Sequence, residues 1–205
     1  ITYDGARHVR LASLPDMWER TLTVSSVGKT FSCTGWKAGW VYGGAELVKQ
    51  IHLASQWIIY CLSTPTSKGV AQILRKAEEG YMGHENYYSY IGSEFQRKKD
   101  FLLSILQEAK LEPLKPDGGY FITSRLGEYQ IDKKYSLEPG LDGTSPVSQE
   151  YAFSRWMTYE YGVTPIPYSA FYAPSSTNKP LPLGKCHQHP RNLLTFHVSD
   201  SHTKD

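Results

Sequence analysis

The sequence has little cysteine, no long hydrophobic run and no large excess of charge of either sign. Its three cysteines, Cys33, Cys61 and Cys186, are far apart, and such a sparse, odd set favours a reducing compartment over a disulfide framework. The best apolar stretch, WIIYCL at 57–62, is far shorter than the ~20 residues of a membrane-spanning helix. A formal net charge of +2 is too small for a protein that binds nucleic acid through a basic surface.

The rest of the composition is that of an ordinary globular chain. The 205 residues, 40% of them hydrophobic, can bury a sizeable core in one large domain or two small ones. Tyrosine is abundant, with 15 residues, which suits aromatic-lined clefts or a tyrosine-rich core. The N-terminal sequence ITYDGARH has no initiator methionine and no signal-peptide core, so we expect the chain to begin inside a longer protein.

Alternating strand-like and helical segments predict an α/β fold. Runs of β-branched and aromatic residues indicate strands at 21–26, 35–43, 120–123, 163–173 and 192–198. Apolar residues at helical spacing indicate helices at 44–62, 64–80, about 85–110 and 148–162. The polar segments 124–147 and 174–191 are expected to be loops, and the long helix is expected to separate two domains.

The stretch SSVGKTFSCTGWKAGW, at 25–40, contains the residues with the most distinctive chemistry. Its Gly28-Lys29-Thr30 is similar to the end of a nucleotide-binding P-loop. That motif needs a glycine five positions before Gly28, where this chain has Thr23. The backbone cradle for a nucleotide triphosphate is therefore not encoded.

The two lysines of this stretch allow another chemistry, the covalent capture of an aldehyde. An amine that attacks a carbonyl must be partly unprotonated near neutral pH, and burial or a nearby cation favours this. Lys37 places a cation near Lys29, and the Ser26 hydroxyl can bind a phosphate oxygen. This set suits a cofactor that carries both an aldehyde and a phosphate. The residues alone leave open the alternative of two surface lysines in a loop.

The same stretch resembles the Schiff-base signature of class I aminotransferases, which are pyridoxal-phosphate-dependent enzymes of fold type I. It runs Ser-x-x-Lys, then x-Phe-x-x-Thr-Gly-Trp-Lys-x-Gly-Trp. Upstream, LASLPDMWERTLTVSS at 11–26 resembles the kynurenine–oxoglutarate transaminases, also called cysteine-S-conjugate β-lyases. PDGGYF at 116–121 and YGVTPIPYSAFY at 161–172 follow in the order typical of that family. The resemblance covers nearly the whole chain.

The resemblance implies a domain division and roles for individual residues. Residues 1–84 would be the C-terminal part of a large domain with a mostly parallel sheet. Residues 85–205 would be most of a small α/β domain that lacks its last helix. Lys29 would form the Schiff base with pyridoxal phosphate, and Ser26 and Lys37 would bind its phosphate. Because the family is dimeric, Ile59 and Tyr60 would approach the partner subunit's site.

The chain also departs from the family's pattern. The cofactor-contacting residues that the family has upstream, an aspartate among them, have no counterpart here, and Asp4 does not take that place. The family's carboxylate-binding arginine is replaced near Leu194 or Thr195, which leaves Arg191 as a substrate-binding candidate. Metal-ligating residue types also occur near the C-terminus, without the spacing of a zinc motif: Cys186, His187, His189, His197 and His202. We interpret these as loop and tail residues and predict no metal site.

Two functional hypotheses follow. The first is pyridoxal-phosphate-dependent transamination between an amino acid of the kynurenine or glutamine type and a 2-oxo acid, in a cytoplasmic or mitochondrial homodimer. The second is a non-catalytic truncated remnant or isoform that acts only through weak cofactor binding or its dimer surface. Neither involves nucleic acid or a membrane. Because half of the family's active site lies upstream, both stay open at the level of the sequence.

Overall fold

The computed structural model describes residues 1–140, 143, 145–171 and 193–197. The described chain forms two compact units. One of them, Arg7–Ile91, contains both signature lysines and is called the lysine unit. The other, called the sheet unit, comprises Ile1–Ala6 and the described residues from Gly92 onward. The division into domains at 1–84 and 85–205 concerns a larger parent fold and stays a prediction.

The lysine unit alternates short strands and helices. In chain order its strands and α-helices are β1 (Leu22–Ser26), α1 (Val27–Thr30), β2 (Gly39–Gly43), α2 (Ala45–Ile58), α3 (Thr64–Lys76) and the start of α4 (Tyr87–Glu108). Short 3₁₀ helices lie at Leu11–Ser13, Trp18–Arg20 and Thr34–Trp36. The predictions of β1, α2, α3 and α4 are confirmed, with ends displaced by a few residues. The strand predicted at 35–43 begins only at Gly39, because Lys37 adopts a left-handed φ of 51° that breaks extended backbone.

The pairing of β1 with β2 differs from the expected mostly parallel sheet. The two strands run antiparallel, with Leu22 opposite Gly43 and Ser26 opposite Gly39. Every strand pair among the described residues is antiparallel. The physical reason is the turn at 27–38: the Val27 amide donates a hydrogen bond to the Ala38 carbonyl and closes the turn, so β2 returns beside β1 in the opposite direction. The α/β class is confirmed, and the parallel character of the sheet is not found in the described part.

The core of the lysine unit is small. Val27, Ala38 and Val70 are buried, with Phe31 and Leu74 packed against them. The apolar end of α2 is not covered: Trp57 is 89% exposed. The next three residues, Ile58, Ile59 and Tyr60, are exposed as well. The lysine unit therefore exposes apolar side chains at the end of α2.

The sheet unit contains the larger core. Its strands are β3 (Glu112–Pro113), β4 (Phe121–Arg125), β5 (Ile166–Pro167) and β6 (Leu193–His197), arranged antiparallel in the order β3-β4-β6-β5. Helices α5 (Lys134–Leu137) and α6 (Gln149–Tyr161) follow β4. Alternation along β4 buries Ile122 and Ser124. The core joins residues of the sheet to α4 and α6: Leu106, Leu111, Ile122, Leu126, Phe153, Leu194 and Phe196.

Three sequence expectations for this unit have mixed outcomes. The helix at 148–162 is confirmed, and Gly162 closes it with a left-handed φ of 68°. The segment 124–147 is not all loop, since it contains α5, which is only four residues long. The strand expected at 163–173 shrinks to two residues, because a 3₁₀ helix at Tyr168–Phe171 replaces its second half. The loop expected at 174–191 lies outside the described residues.

The N-terminal arm, Ile1–Ala6, is fixed to the rest of the sheet unit by polar contacts. The side chain of Tyr3 is buried, and its hydroxyl donates a hydrogen bond to the Gly119 carbonyl at 2.5 Å. Thr2 forms a β-bridge with Gly118. The amine of Lys99, a residue in α4, lies 2.5 Å from the Asp4 carboxylate and 5.2 Å from the centre of the Tyr3 ring. Within the described residues, no helix is long and apolar enough to cross a membrane.

Candidate functional site

The site is built on the turn that joins β1 to β2. Ser26 ends β1 opposite Gly39, and the next amide, that of Val27, donates to the carbonyl of Ala38 at 3.2 Å. Lys37 immediately precedes Ala38, so the register brings it to the end of the ribbon where Ser26 lies. Lys29 lies in the intervening helix α1. One local turn therefore carries all three residues of the predicted cofactor set.

Lys29 has a fixed backbone and a free side chain. Val27 is fully buried beneath the turn, which anchors the start of α1. The amide of Phe31 donates to the Val27 carbonyl and that of Cys33 to the Gly28 carbonyl, both at 3.0 Å. These bonds enclose Lys29 on both sides, while its side chain is exposed. An exposed amine on a rigid turn can reach an incoming group without a rearrangement of the backbone.

Two glycines allow the close approach of the turn's strands. A Cβ added at Gly39 would lie 2.7 Å from the Ser25 carbonyl oxygen, which is a clash with backbone. A Cβ at Gly28 would lie 3.3 Å from the Cα of Thr34 and 3.7 Å from the Ser26 hydroxyl oxygen. Small residues at these positions therefore have a steric reason. They keep the space beside Ser26 open.

The conformation of Lys37 is unusual for a residue with a side chain. Its φ of 51° and ψ of 34° lie in the left-handed region, which residues other than glycine adopt at a cost of about 1–2 kcal/mol. The preceding Trp36 packs its six-membered ring on α3, where a Cβ at Gly69 would lie 3.1–3.2 Å from it. Trp36 thus fixes the segment that precedes Lys37. Strained backbone of this kind is concentrated at functional sites.

Ser26 begins α1 without using its hydroxyl. It occupies the N-cap position, but among the described residues the hydroxyl makes no hydrogen bond to the helix amides. The side chains of Ser26, Lys29 and Lys37 are all exposed. The set thus offers one hydroxyl and two amines to solvent, which is the donor chemistry that a phosphate and an aldehyde require. The residues present fit a phosphate-bearing aldehyde cofactor.

A tyrosine that the sequence analysis did not single out contacts the lysine turn. The Tyr87 hydroxyl donates to the carbonyl of Thr30 at 2.8 Å, and its ring stacks on that of Phe31 with centroids 5.2 Å apart. The sequence signal was the tyrosine run NYYSY at 86–90. Nothing in the sequence indicates which of these tyrosines meets a turn 57 residues earlier.

The other predicted site residues lie elsewhere. Ile59 and Tyr60 are exposed at the end of α2 in the lysine unit. Leu194 and Thr195 are buried in β6 of the sheet unit, where neither presents its side chain to solvent. Asp4 lies in the sheet unit, where its carboxylate contacts the amine of Lys99. Arg191 lies outside the described residues.

The predicted absence of a metal site concerns residues near the C-terminus. His197 is exposed in β6, with its ring edge-on to that of Phe121 at 5.1 Å. The other four lie outside the described residues: Cys186, His187, His189 and His202. Within the described part, no group of three or more metal-ligating side chains is present.

The chain belongs to the aminotransferase class I and II family, whose sequence profile matches residues 3–178. Among curated proteins, it is 37% identical over 172 residues to a kynurenine–oxoglutarate transaminase of Dictyostelium discoideum, which covers 84% of this chain and 38% of the relative. It is 34% identical over 173 residues to kynurenine–oxoglutarate transaminase 1 of Mus musculus, with 84% of this chain and 40% of the relative covered. The predicted resemblance to this group is therefore confirmed.

Solved structures lead to the same family. Bna3p of Saccharomyces cerevisiae is 28% identical, with a TM-score of 0.78 over 96% of this chain and 43% of that one. YbdL of Escherichia coli, for which a methionine aminotransferase function is described, is 26% identical, with a TM-score of 0.71 over 97% of this chain and 43% of that one. The prediction of fold type I is thereby confirmed.

The comparisons also show how much of an aminotransferase of this family the chain spans. It spans 36–40% of the length of the kynurenine–oxoglutarate transaminases that it matches. The cofactor of the class I aminotransferases is pyridoxal phosphate, so the cofactor expectation is confirmed at the level of the family. Amino acids and 2-oxo acids are the substrates of the family, and dimers are its usual assembly.

Proposed function

We propose that this chain carries the cofactor-capturing part of a pyridoxal-phosphate-dependent aminotransferase that acts on a kynurenine- or glutamine-type amino acid and a 2-oxo acid. The observation that carries the proposal is the register of the β1–β2 ribbon, which gathers Ser26, Lys29 and Lys37 on one turn. The names of the relatives suggest kynurenine and oxoglutarate as the substrates to test first. A homodimer and a cytoplasmic or mitochondrial location belong to the same proposal.

Lys29 has two tasks in this proposal. When bound, pyridoxal phosphate supplies an aldehyde for an amine and an electron-withdrawing ring that stabilises charge at a substrate carbon. The Lys29 amine holds the cofactor covalently between turnovers. Once released from the cofactor, the Lys29 amine would remove the proton from the substrate α-carbon as a general base. It would then deliver a proton two atoms away as a general acid, which completes the 1,3-proton shift of transamination.

Ser26 and Lys37 hold the phosphate. A phosphate oxygen accepts the hydroxyl hydrogen of Ser26, whose oxygen is not used in capping α1 among the described residues. Lys37 contributes a positive charge to the same end of the ribbon. A charge-assisted hydrogen bond of this kind is about twice as strong as a neutral one. The two residues therefore position the cofactor and leave Lys29 for chemistry.

The substrate carboxylate needs a cation that β6 does not supply. Leu194 and Thr195 are buried in the sheet, and neither carries charge. Arg191, two residues before the described part of β6, stays the candidate for this contact because guanidinium binds carboxylate in a bidentate manner.

A second candidate function is favoured by the exposure of the site. Ser26, Lys29 and Lys37 are all exposed, as is the apolar end of α2 at Trp57–Tyr60. Exclusion of water strengthens the electrostatic interactions that catalysis uses, so the exposure of these residues favours weak capture of the cofactor without turnover. This is the non-catalytic remnant or isoform, which acts by cofactor binding or through its dimer surface.

The experiment combines cofactor capture with reduction. The purified chain is mixed with pyridoxal phosphate and treated with borohydride, and the modified lysines are identified by mass spectrometry. We expect preferential modification of Lys29, its loss in Lys29→Ala, and no change in Lys49→Ala, which removes an exposed lysine of α2. Equal modification of many lysines, or an unchanged yield in Lys29→Ala, would refute the role of Lys29.

Turnover separates the two candidate functions. Chain that captures the cofactor at Lys29 is given kynurenine and oxoglutarate, and glutamate formation is measured. Glutamate production that Lys29→Ala abolishes supports the transaminase. Capture at Lys29 with no glutamate supports the non-catalytic alternative.

A further inference from the structure

We propose that Tyr87 is a positioning residue for Lys29, holding the lysine turn from the first residue of α4. This inference rests on the proposed role of Lys29 in capturing pyridoxal phosphate. It adds a residue that the signature at 25–40 does not contain.

Tyr87 contacts the two residues that follow Lys29. Its hydroxyl donates to the Thr30 carbonyl at 2.8 Å. Its ring stacks on Phe31 at a centroid distance of 5.2 Å and an interplanar angle of 20°. One side chain thus fixes the backbone at Thr30 and the side chain at Phe31.

The end of α1 needs such a contact. The helix is only four residues long, and the last carbonyls of any helix have no partner within it. Directly after it, Ser32 takes a left-handed φ of 51° and turns the chain away. The bonds donated by Phe31 and Cys33 use the carbonyls of Val27 and Gly28. The Thr30 carbonyl receives its hydrogen bond from Tyr87.

Tyr87 is itself well anchored. Its amide donates to the carbonyl of Ala77 at 3.0 Å, and Ala77 is buried. The Tyr81 ring lies edge-on to it at 5.4 Å. A side chain held in this way can restrain a short turn, whereas a mobile side chain would move with it.

The restraint affects the chemistry because the Lys29 side chain is exposed, so burial does not fix its direction. The direction in which the amine approaches an aldehyde therefore depends on the backbone of α1. Orientation of this kind contributes strongly to the rate at which two groups react. Loosening the turn lowers the fraction of chains in which Lys29 faces a cofactor held by Ser26 and Lys37.

The test removes only the hydroxyl, in Tyr87→Phe, and compares it with Tyr88→Phe. Tyr88 is the matched control because its ring also lies edge-on to Phe31, at 6.2 Å, while the bond to Thr30 belongs to Tyr87. Phe31→Leu, which removes the stacked ring and keeps the hydroxyl bond, tests the same contact if Tyr87→Phe does not fold.

Two readouts are measured on each chain. Hydrogen exchange at the amides of Phe31 and Cys33 reports opening of the turn without any cofactor. The rate of reductive modification of Lys29 by pyridoxal phosphate is followed across pH, with exposed Lys110 of the sheet unit as the internal reference. In Tyr87→Phe we expect about five- to tenfold faster hydrogen exchange, because one hydrogen bond is lost. We expect the rate of Lys29 modification, at the plateau of its pH profile, to fall by a similar factor. Lys110 and the Tyr88→Phe chain are expected to behave as in the unaltered protein, and Phe31→Leu to show a smaller effect of the same sign.

Failure of the Tyr87 proposal and failure of the proposed function give different results. An unaltered exchange rate or an unaltered Lys29 rate in Tyr87→Phe overturns the positioning role and leaves the proposed function intact. A parallel fall in the Lys29 and Lys110 rates indicates global loosening and also overturns it. If the unaltered chain shows no preference for Lys29, the proposed function fails, and the role of Tyr87 fails with it.

Discussion

The amine of Lys99 lies 2.5 Å from the carboxylate of Asp4, a residue 95 positions earlier in the chain. Lys99 is fully buried, and its amine also lies 3.0 Å from the Asp100 carboxylate. The Gln96 amide bonds to both carboxylates. This cluster attaches the N-terminal arm to α4 and supports several predictions.

Replacement of Lys99 by methionine is expected to destabilise the protein. The change removes the charge-assisted hydrogen bonds from the buried Lys99 amine to the Asp4 and Asp100 carboxylates, which are themselves 38% and 58% exposed. Lys115→Met is the control, because Lys115 also contacts Asp4, at 3.3 Å, but is well exposed. Thermal unfolding should show a clearly lower Tm for Lys99→Met than for Lys115→Met. Equal values would show that the burial of Lys99 has no energetic consequence.

Acid should weaken the same cluster. The hydrogen bond from Lys99 is the main cause that lowers the pKa of Asp4, and the hydrogen bonds from Gln96 and Lys99 lower the pKa of Asp100. A carboxyl whose folded pKa is depressed stabilises the fold above its unfolded pKa of about 4, and this stability is lost as pH falls through the folded pKa. We therefore expect Tm to fall below about pH 4, with a shallower fall in Asp4→Asn. Asp16→Asn, at an exposed position outside the cluster, is the control and should keep the steep fall of Tm. If Tm falls as steeply with pH in Asp4→Asn as in Asp16→Asn, Asp4 does not contribute to the loss of stability in acid.

Two helical glycines should respond differently to replacement by alanine. Gly92 lies within α4, and an added Cβ would meet nothing within 4 Å, whereas at Gly69 in α3 it would lie 3.1–3.2 Å from the Trp36 ring. Gly92→Ala is expected to raise the free energy of unfolding by about 0.5–1 kcal/mol, since glycine weakens helices by that amount. Gly69→Ala should gain less or lose stability, and it should change Trp36 fluorescence. A greater gain at Gly69 than at Gly92 would contradict the packing described.

Replacement of Lys37 by glycine separates backbone strain from phosphate binding. Glycine adopts the left-handed φ at no cost, so the free energy of unfolding should change by no more than about 1 kcal/mol. Capture of pyridoxal phosphate should weaken, while capture of pyridoxal, which has no phosphate, should not. Lys110→Gly relieves a similar φ of 56° in the sheet unit and should leave both captures unchanged. If Lys37→Gly weakens the capture of pyridoxal phosphate and of pyridoxal equally, Lys37 does not bind the phosphate.

The parts of the fold that could be predicted are those encoded by nearby residues. The helix α6 follows from its apolar repeat and from Gly162, whose left-handed φ ends it. The strand expected at 163–173 was mostly wrong because its aromatic residues suit a strand but form a 3₁₀ helix at Tyr168–Phe171. Strand propensity depends on a neighbour with which to pair, and only Ile166 and Pro167 pair with β6.

The sequence by itself determined the grouping of Ser26, Lys29 and Lys37, because all three lie within a dozen residues on one local turn. It also determined the family, through the length and specificity of the motif around that turn. Only the tertiary structure decided that Tyr87 contacts Thr30 and Phe31 and that Lys99 holds Asp4. Those contacts join residues 57 and 95 positions apart, and no local pattern selects one tyrosine or one lysine among many. Their partners are chosen by packing of the complete described chain, where burial and hydrogen-bond geometry discriminate between residues of the same type.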